Sequence, residues 1–194
     1  MNRLISKYGA VGVIDCDLGQ PEFTLPGLTS MHIVKDPILK PSHLNLKLPE
    51  LSFFVGDITS KSDPTVMMES VKLLNCHYLN VRDRMCSDAD VKNGDVSNSV
   101  SNNRFSILEE DKKSPKTYLP LVVNTDGWIR YMGSEILSSI IKTFQPSHIT
   151  HLTSEREQTL EAFQSAPDIC KIYSLEPGRS TPGSIGKFLY RIIY

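Results

Sequence analysis

The residues that most constrain the fold of this chain are 10–27, which read AVGVIDCDLGQPEFTLPG. They begin with five small or β-branched apolar residues without a charge, and this pattern predicts a strand buried on both faces. Asp15, Asp17 and Gln20 follow where that strand is expected to end. Because open α/β sheets bind ligands at the carboxyl ends of their parallel strands, these polar residues predict a functional site at one edge of a sheet.

The two carboxylates allow two interpretations. Side chains two residues apart on an extended chain point to the same side, so Asp15 and Asp17 form a pair of like charges. Such a pair is costly when buried, which predicts a cationic partner (Mg²⁺ or a lysine) or a substrate hydroxyl that gives up a proton. Alternatively, Asp15 caps a backbone turn and Asp17 faces water. The residues alone leave both interpretations open.

Composition restricts the class of protein. A chain of 194 residues with 40% hydrophobic and 22% charged residues is expected to form one globular core. Its net charge of −1 gives no electrostatic sign of nucleic-acid binding. The four cysteines form no C-x-x-C pair, which argues against structural zinc and favours a reducing compartment. The sequence shows no membrane-length apolar run and no signal peptide, so we expect a soluble, intracellular protein without a membrane partner.

The pattern along the chain predicts alternating strands and helices. Helices are expected over residues 1–8, from Asp63-Pro64 onward, and from Gly133 onward. After the first strand, further strands are expected at 51–55, 119–123, 147–152 and 169–175, with 28–34 pairing briefly as an edge. The polar residues 84–116 predict a flexible surface insertion. Strands that alternate with helices in this way form βαβ units and a parallel sheet.

Four segments together resemble one enzyme family. They are AVGVIDCDLGQPEFTLPG (10–27), FFVGDITSKSDP (53–64), LPLVVNTDGWIRYMGSEIL (119–137) and QPSHITHL (145–152). In this order they resemble the polynucleotide 5′-hydroxyl kinases, particularly the nucleolar type that processes ribosomal RNA, over roughly residues 1–152.

The resemblance implies an α/β fold of the P-loop NTPase type, with a mostly parallel sheet and flanking helices. The expected organisation is a kinase-like domain over residues 1–175, with the insertion at 84–116, and a C-terminal loop and tail at 176–194. The chain contains no G-x-x-x-x-G-K-[ST] motif, the loop that cradles phosphates in this fold. We therefore expect it to be truncated at the N-terminal side of its first helix.

The resemblance also assigns catalytic roles to the first strand end. Asp17 matches the carboxylate that serves these kinases as general base or as a partner of Mg²⁺, with Gln20 following it and Asp15 supporting it. The remaining alternative for Asp17 is that it only caps a turn.

The same resemblance assigns the substrate-binding residues. Thr24, Pro26 and Gly27 match a clasp that holds the 5′ end of the nucleic acid, although a purely structural turn explains them nearly as well. Trp128 matches a tryptophan that stacks on a nucleobase; the alternative is packing against the helix at Gly133. Asn124 and Thr125 either donate hydrogen bonds to a phosphate or close the turn.

The function implied by the family is ATP- and Mg²⁺-dependent phosphorylation of RNA 5′-hydroxyl ends in pre-rRNA processing. The implied location is the nucleus and nucleolus, with a ribosomal-RNA-processing endonuclease complex as a partner. Because the phosphate loop is missing, we expect this chain to be inactive alone and to bind ATP poorly. The alternative function is that of a non-catalytic pseudo-kinase fragment, which acts as a module that binds RNA or protein.

Overall fold

The computed structural model describes residues 1–41, 44–92, 118–128, 131–152, 161–175 and 190–193. Its helices are α1 (Asn2–Tyr8), α2 (Pro64–Lys92) and α3 (Met132–Phe144), with a 3₁₀ helix at Glu161–Ser165. Its strands are β1 (Val11–Asp15), β2 (Leu28–Val34), β3 (Leu51–Phe54), β4 (Leu121–Thr125), β5 (His148–Leu152), β6 (Lys171–Leu175) and β7 (Tyr190–Ile193). In this described part the strands form one sheet in the order β3-β2-β1-β4-β7-β5-β6.

Strand direction agrees with the predicted α/β class. β1 is parallel to β4, and β5 is parallel to β6. The pairings of β2 and β7 are all antiparallel, so β1, β3, β4, β5 and β6 run in one direction and β2 and β7 run against them. The sheet is therefore mostly parallel in strand direction, and the carboxyl ends of β1, β3 and β4 meet at one edge.

The two faces of the sheet bury separate cores. Alternate residues of a strand point to opposite faces, so in β1 Val11 and Val13 face one side and Ile14 faces the other. The first side is covered by α1, whose Ile5 packs there together with Phe23. The second side is covered by α2, α3 and the 3₁₀ helix, and it holds the larger core. This double coverage explains why all five residues of β1 are buried.

The helix α2 begins as predicted but ends later. Asp63 Oδ1 accepts a hydrogen bond from the backbone N–H of Val66 at 2.9 Å, which is the expected N-cap, and Pro64 is the first helical residue. The predicted apolar stripe is buried and comprises Met67, Val71, Leu74 and Tyr78. The prediction that a loop begins at residue 84 is wrong for 84–92, which are helical.

Helix extension past residue 84 has a simple cause. Met85 packs against the larger core, and elongating an existing helix costs far less than starting one, so a polar composition does not end it. The rest of the predicted insertion, from residue 93, lies outside the described residues.

The strand β2 is also more substantial than predicted. The sequence suggested a brief edge strand, but β2 spans seven residues and lies between β1 and β3. Pro26 and Pro37 flank it without interrupting its ladder, and Met31 and Val34 are fully buried. The edge position belongs to β3, whose Phe54 is largely exposed.

The C-terminal region contributes a strand that the sequence did not indicate. Residues 176–194 were predicted to be a loop and tail, but residues 190–193 form β7, which pairs with both β4 and β5. Four residues after a Pro- and Gly-rich stretch are too short to give a periodic signal. Residues 176–189 lie outside the described part.

Among the residues that the structure describes, no helix combines the length and the apolar character needed to span a membrane.

The remaining elements match the prediction closely. α1 ends at Gly9, which has the left-handed φ of 77° expected of a helix-ending glycine. α3 buries the predicted stripe of Ile136, Leu137, Ile140, Ile141 and Phe144. The strands at 119–123, 147–152 and 169–175 are present with boundaries shifted by two residues or fewer.

Candidate functional site

Asp15 lies at the carboxyl end of β1 and is completely buried. Its Oδ1 accepts hydrogen bonds from Asn124 Nδ2 at 2.9 Å and from the backbone N–H of Asp17 at 3.1 Å. Its Oδ2 accepts one from the backbone N–H of Glu22 at 2.7 Å. Burial raises the pKa of Asp15 to about 6, because desolvation outweighs these three donors. The side chain therefore ties the turn after β1 to β4, which is the turn-capping role considered from the sequence.

Asp17 lies in the turn after β1 and is half-buried. Its Oδ1 accepts hydrogen bonds from the backbone N–H groups of Gly19 at 3.1 Å and Gln20 at 2.9 Å. Its Oδ2 accepts no hydrogen bond from the residues that the structure describes. One oxygen thus holds the turn while the other is free to receive a proton or a cation. Turn capping and chemistry are compatible in this carboxylate, so the two interpretations of Asp17 do not exclude each other.

The other residues of this turn have mainly structural contacts. The side chain of Gln20 is exposed, and only its backbone N–H contacts Asp17. Gly27 has a left-handed φ of 87°; its N–H donates to the carbonyl of Leu18, and its carbonyl accepts from Val55. A side chain at Gly27 would be strained, so glycine is required there whatever else the turn does. Pro26 is exposed beside it, at the rim of the site.

Three buried polar atoms near this edge have no hydrogen-bond partner among the described residues. They are Thr24 Oγ1, Asn124 Oδ1 and Thr125 Oγ1. Asn124 and Thr125 are the last two residues of β4, and Asn124 is paired in register with Asp15. Unsatisfied buried polar atoms are uncommon in folded proteins and occur at sites where a ligand or water completes the hydrogen bonding. The unpartnered Asn124 Oδ1 can only accept a hydrogen bond, because its Nδ2 donates to Asp15, whereas the hydroxyls of Thr24 and Thr125 can also donate. The predicted contacts of Asn124 and Thr125 with a phosphate stay a prediction.

Asp126 is a site residue that sequence reasoning missed. Its Oδ2 accepts a hydrogen bond from the hydroxyl of Ser60 at 2.8 Å, and its Oδ1 accepts one from the backbone N–H of Trp128 at 3.3 Å. Burial is the main cause that raises its pKa, and the charge of Asp17 adds to the effect while Lys61 opposes it. Its position in the sequence could have indicated it as a site residue, because Asp126 directly follows β4 and Asp17 follows β1 in the same way.

Trp128 joins the site to the core. Its side chain is half-buried and packs against the larger hydrophobic core. It lies so close to α3 that a Cβ at Gly133 would come within 2.7 Å of its Cδ2. Lys61 Nζ lies over the ring, 4.8 Å from its centroid. Packing against the Gly133 helix, the alternative considered from the sequence, is therefore present, and the partly exposed indole remains available for stacking.

The residues described at this edge fit a magnesium ion only partly. No group of three His, Cys, Asp or Glu residues in the described ranges has a geometry that could hold a metal ion. Mg²⁺ in phosphoryl-transfer sites usually has one or two carboxylates and takes its other ligands from phosphates and water, a role that Asp17 Oδ2 could fill. The sequence contains no complete G-x-x-x-x-G-K-[ST] motif, the usual phosphate-binding loop of this fold.

Comparison with known proteins identifies the family. Residues 1–96 and 94–176 match the family model described as mRNA cleavage and polyadenylation factor CLP1 P-loop. The chain belongs to this family. Membership in the CLP1 P-loop family confirms the resemblance drawn from the strand-end motifs and the α/β P-loop class.

Curated relatives in this family carry a consistent name. The chain is 32% identical over 151 residues to polynucleotide 5′-hydroxyl-kinase NOL9 of Arabidopsis thaliana, covering 77% of this chain and 34% of the relative. It is 28% identical to polynucleotide 5′-hydroxyl-kinase grc3 of Schizosaccharomyces pombe, with 79% and 18% covered. The human polynucleotide 5′-hydroxyl-kinase NOL9 is 25% identical, with 81% and 17% covered. The chain thus spans about a third or less of the length of these relatives.

Proposed function

We propose that this chain carries the acceptor-binding part of a polynucleotide 5′-hydroxyl kinase. The observation that supports this most strongly is the geometry of Asp17 at the carboxyl edge of the sheet. One of its carboxylate oxygens is fixed by two backbone amides, and the other accepts no hydrogen bond from the part of the chain that the structure describes. The names of the curated relatives support the reaction class. The proposed substrate is the 5′-hydroxyl end of single-stranded RNA.

Each residue of the site has a defined task in this proposal. Asp17 Oδ2 accepts the hydrogen bond of the 5′-hydroxyl and takes its proton as the bond to phosphorus forms, help that is typically worth ~10²–10⁴ in rate. Asp15, through Asn124 and the amides of Asp17 and Glu22, keeps the turn in place. Trp128 stacks on the terminal base. When bound, ATP would supply the transferred phosphoryl group and leave as ADP, and Mg²⁺ would neutralise the developing charge.

The finer parts of the proposal rest only on the resemblance to the nucleolar kinases. They are a role in pre-rRNA processing, a nuclear and nucleolar location, and work beside a ribosomal-RNA-processing endonuclease complex. We also propose that the 194-residue chain does not transfer phosphate by itself, because it lacks the loop that positions ATP.

The missing motif favours a second candidate function, a non-catalytic module that binds RNA ends. Both candidates predict binding, but they differ after the chain is joined to a phosphate-binding loop. A kinase half then transfers phosphate and depends on Asp17, whereas a pseudo-kinase gains no activity.

Discrimination between RNA ends tests the acceptor site on the chain as it exists. Asp15, Asp17 and Asp126 place negative charge at this edge, so a 5′-phosphate should be repelled where a 5′-hydroxyl is accepted. Fluorescence anisotropy with 12-nucleotide single strands labelled at the 3′ end should show roughly three- to tenfold tighter binding of the 5′-hydroxyl form, about 1 kcal/mol. Asp17→Asn should reduce this preference. Equal affinity for both ends in the unmodified chain would contradict the proposal.

A further inference from the structure

The loop at residues 57–62, between β3 and α2, is held against the candidate site at two places. The hydroxyl of Ser60 donates to Asp126 Oδ2 at 2.8 Å, which connects the loop to the residues that follow β4. The carbonyl of Ile58 lies against the turn after β1, since a Cβ at Gly19 would be only 3.0 Å from it. Both contacts are made by residues that shortly precede Lys61, so they hold this part of the loop beside the strand ends.

The same loop is also braced internally. Asp57 accepts hydrogen bonds from the backbone N–H of Ile58 and from the hydroxyl of Ser62. Asp63, the next residue, caps the start of α2. These hydrogen bonds restrict the backbone of the loop, and therefore the region that the side chain of Lys61, its one lysine, can reach. Such restriction lowers the entropy that is lost when the lysine binds a ligand.

Lys61 brings a positive charge to an otherwise acidic edge. Its side chain is exposed, makes no salt bridge with any residue in the described ranges, and holds its ammonium 4.8 Å from the centroid of Trp128. The chain carries a net charge of −1, and the site itself holds Asp15, Asp17 and Asp126. A phosphate-rich strand that approaches this edge meets repulsion unless a local cation offsets it.

We propose that Lys61 binds the phosphodiester next to the nucleotide that stacks on Trp128, so that the two side chains hold the acceptor strand together. This inference rests on the proposed function. The base and the ammonium compete for the same indole, so stacking moves the ammonium off the ring. The four-carbon stem of lysine allows this movement, and the nearest phosphodiester of the strand receives the charge. In the free chain Lys61 covers the ring; in the complex it pairs with phosphate.

The test compares Lys61→Met with Lys72→Met, a matched control at an exposed lysine of α2. The probe is a 12-nucleotide single-stranded RNA with a 5′-hydroxyl, titrated into the full chain at several salt concentrations. Loss of one phosphate contact should reduce the slope of log affinity against log salt by ~0.7 and weaken binding roughly fivefold at 0.1 M salt. Lys61→Arg should restore the slope, and Lys72→Met should leave it unchanged.

A chemical change in the RNA isolates the phosphate. The probe with an uncharged methylphosphonate at its first internucleotide linkage should bind the unmodified chain as weakly as normal RNA binds Lys61→Met. The two changes together should cost no more than either alone, because they remove the same contact. Additive losses, or equal behaviour of the Lys61 and Lys72 variants, would overturn the inference while leaving the proposed function intact. If the unmodified chain binds neither the normal RNA nor the methylphosphonate RNA, both the proposed function and this inference are contradicted.

Discussion

The two carboxylates at the end of β1 have different surroundings, and we propose different tasks for them. Asp15 is enclosed and accepts three hydrogen bonds, so both of its oxygens are committed to holding the turn. Asp17 is half-buried and uses only Oδ1 for the turn. A group that must exchange a proton with a substrate needs an accessible, uncommitted atom, and Asp17 alone of the two provides it.

Trp128 provides the residue-scale prediction for substrate binding. Trp128→Ala should weaken binding of 5′-hydroxyl single-stranded RNA by ~1–3 kcal/mol, the usual contribution of one stacked base. Fluorescence anisotropy with labelled RNA measures this loss, and Tyr131→Ala, at an exposed aromatic residue nearby, is the control. Because Trp128 is the only tryptophan, RNA should also quench the intrinsic fluorescence of the unmodified chain. Unchanged affinity in Trp128→Ala would leave only its packing role.

His32 provides a prediction about pH. It is buried beside Phe23, contacts Ser30 through Nε2, and burial is the first cause that lowers its pKa to about 4. The unfolded chain, with a histidine pKa near 6.5, then binds more protons than the folded chain between pH 6.5 and 4, so stability falls as the solution is acidified. Protonation of His32 in the unfolded chain should lower the free energy of unfolding at pH 4.5 by about 2 kcal/mol relative to pH 7.

His32→Gln should remove that loss, because glutamine does not titrate and can still hydrogen-bond to Ser30. Urea unfolding at pH 7 and pH 4.5 measures it as the change in the free energy of unfolding for each form. The variant should lose about 2 kcal/mol less than the unmodified chain between the two pH values. Identical losses would show that His32 does not control acid sensitivity.

At the scale of elements, the sequence predicted what depends on local patterns. The buried run of β1, the Asp63 cap and the apolar stripe of α3 follow from residue spacing alone, and all are present. The inner position of β2 and the presence of β7 depend on pairing between distant strands, which no local pattern records. The length of α2 depends on cooperative extension beyond its apolar stripe.

The site was predictable to a similar degree. Asp15, Asp17 and Asn124 were expected at the strand ends, and the structure brings Asp15 and Asn124 into direct contact. The loop that carries Ser60 and Lys61 comes from a separate part of the chain, and its contact with Asp126 follows from folding alone. The sequence thus predicted which strand ends form the site, but not that the loop at residues 57–62 packs against them.

Gly133 connects α3 to the site and gives an element-scale prediction. In Gly133→Ala the new Cβ would lie 2.3 Å from the carbonyl oxygen of Trp128 and 2.7 Å from its ring, so Trp128 must move. The variant should be destabilised by about 1–3 kcal/mol through overpacking, although alanine is otherwise the better helix former. Its tryptophan emission should shift and its RNA affinity should fall. Ser134→Ala, the next position of α3, should show none of these losses.

At the scale of the whole molecule, the sheet brings the ends of separate strands to a single edge. β1, β3 and β4 run in the same direction, so the turn after β1, the loop after β3 and the residues after β4 all lie at that edge. The chain matches the CLP1 P-loop family model but contains no complete phosphate-loop motif among its 194 residues. We propose that this edge, with Asp17 as its reactive group, receives an RNA 5′-hydroxyl.

The most direct test of this proposal measures phosphate transfer to 5′-hydroxyl RNA by the chain joined to a phosphate-loop segment. Asp17→Asn keeps the oxygen that accepts from Gly19 and Gln20, so it should leave the melting temperature nearly unchanged while it lowers the transfer rate ~10²-fold or more. Asp15→Asn should lower stability more than rate, because its amide would face a backbone N–H donor. If Asp15 proves indispensable and Asp17 dispensable, or if neither changes the rate, the account is contradicted.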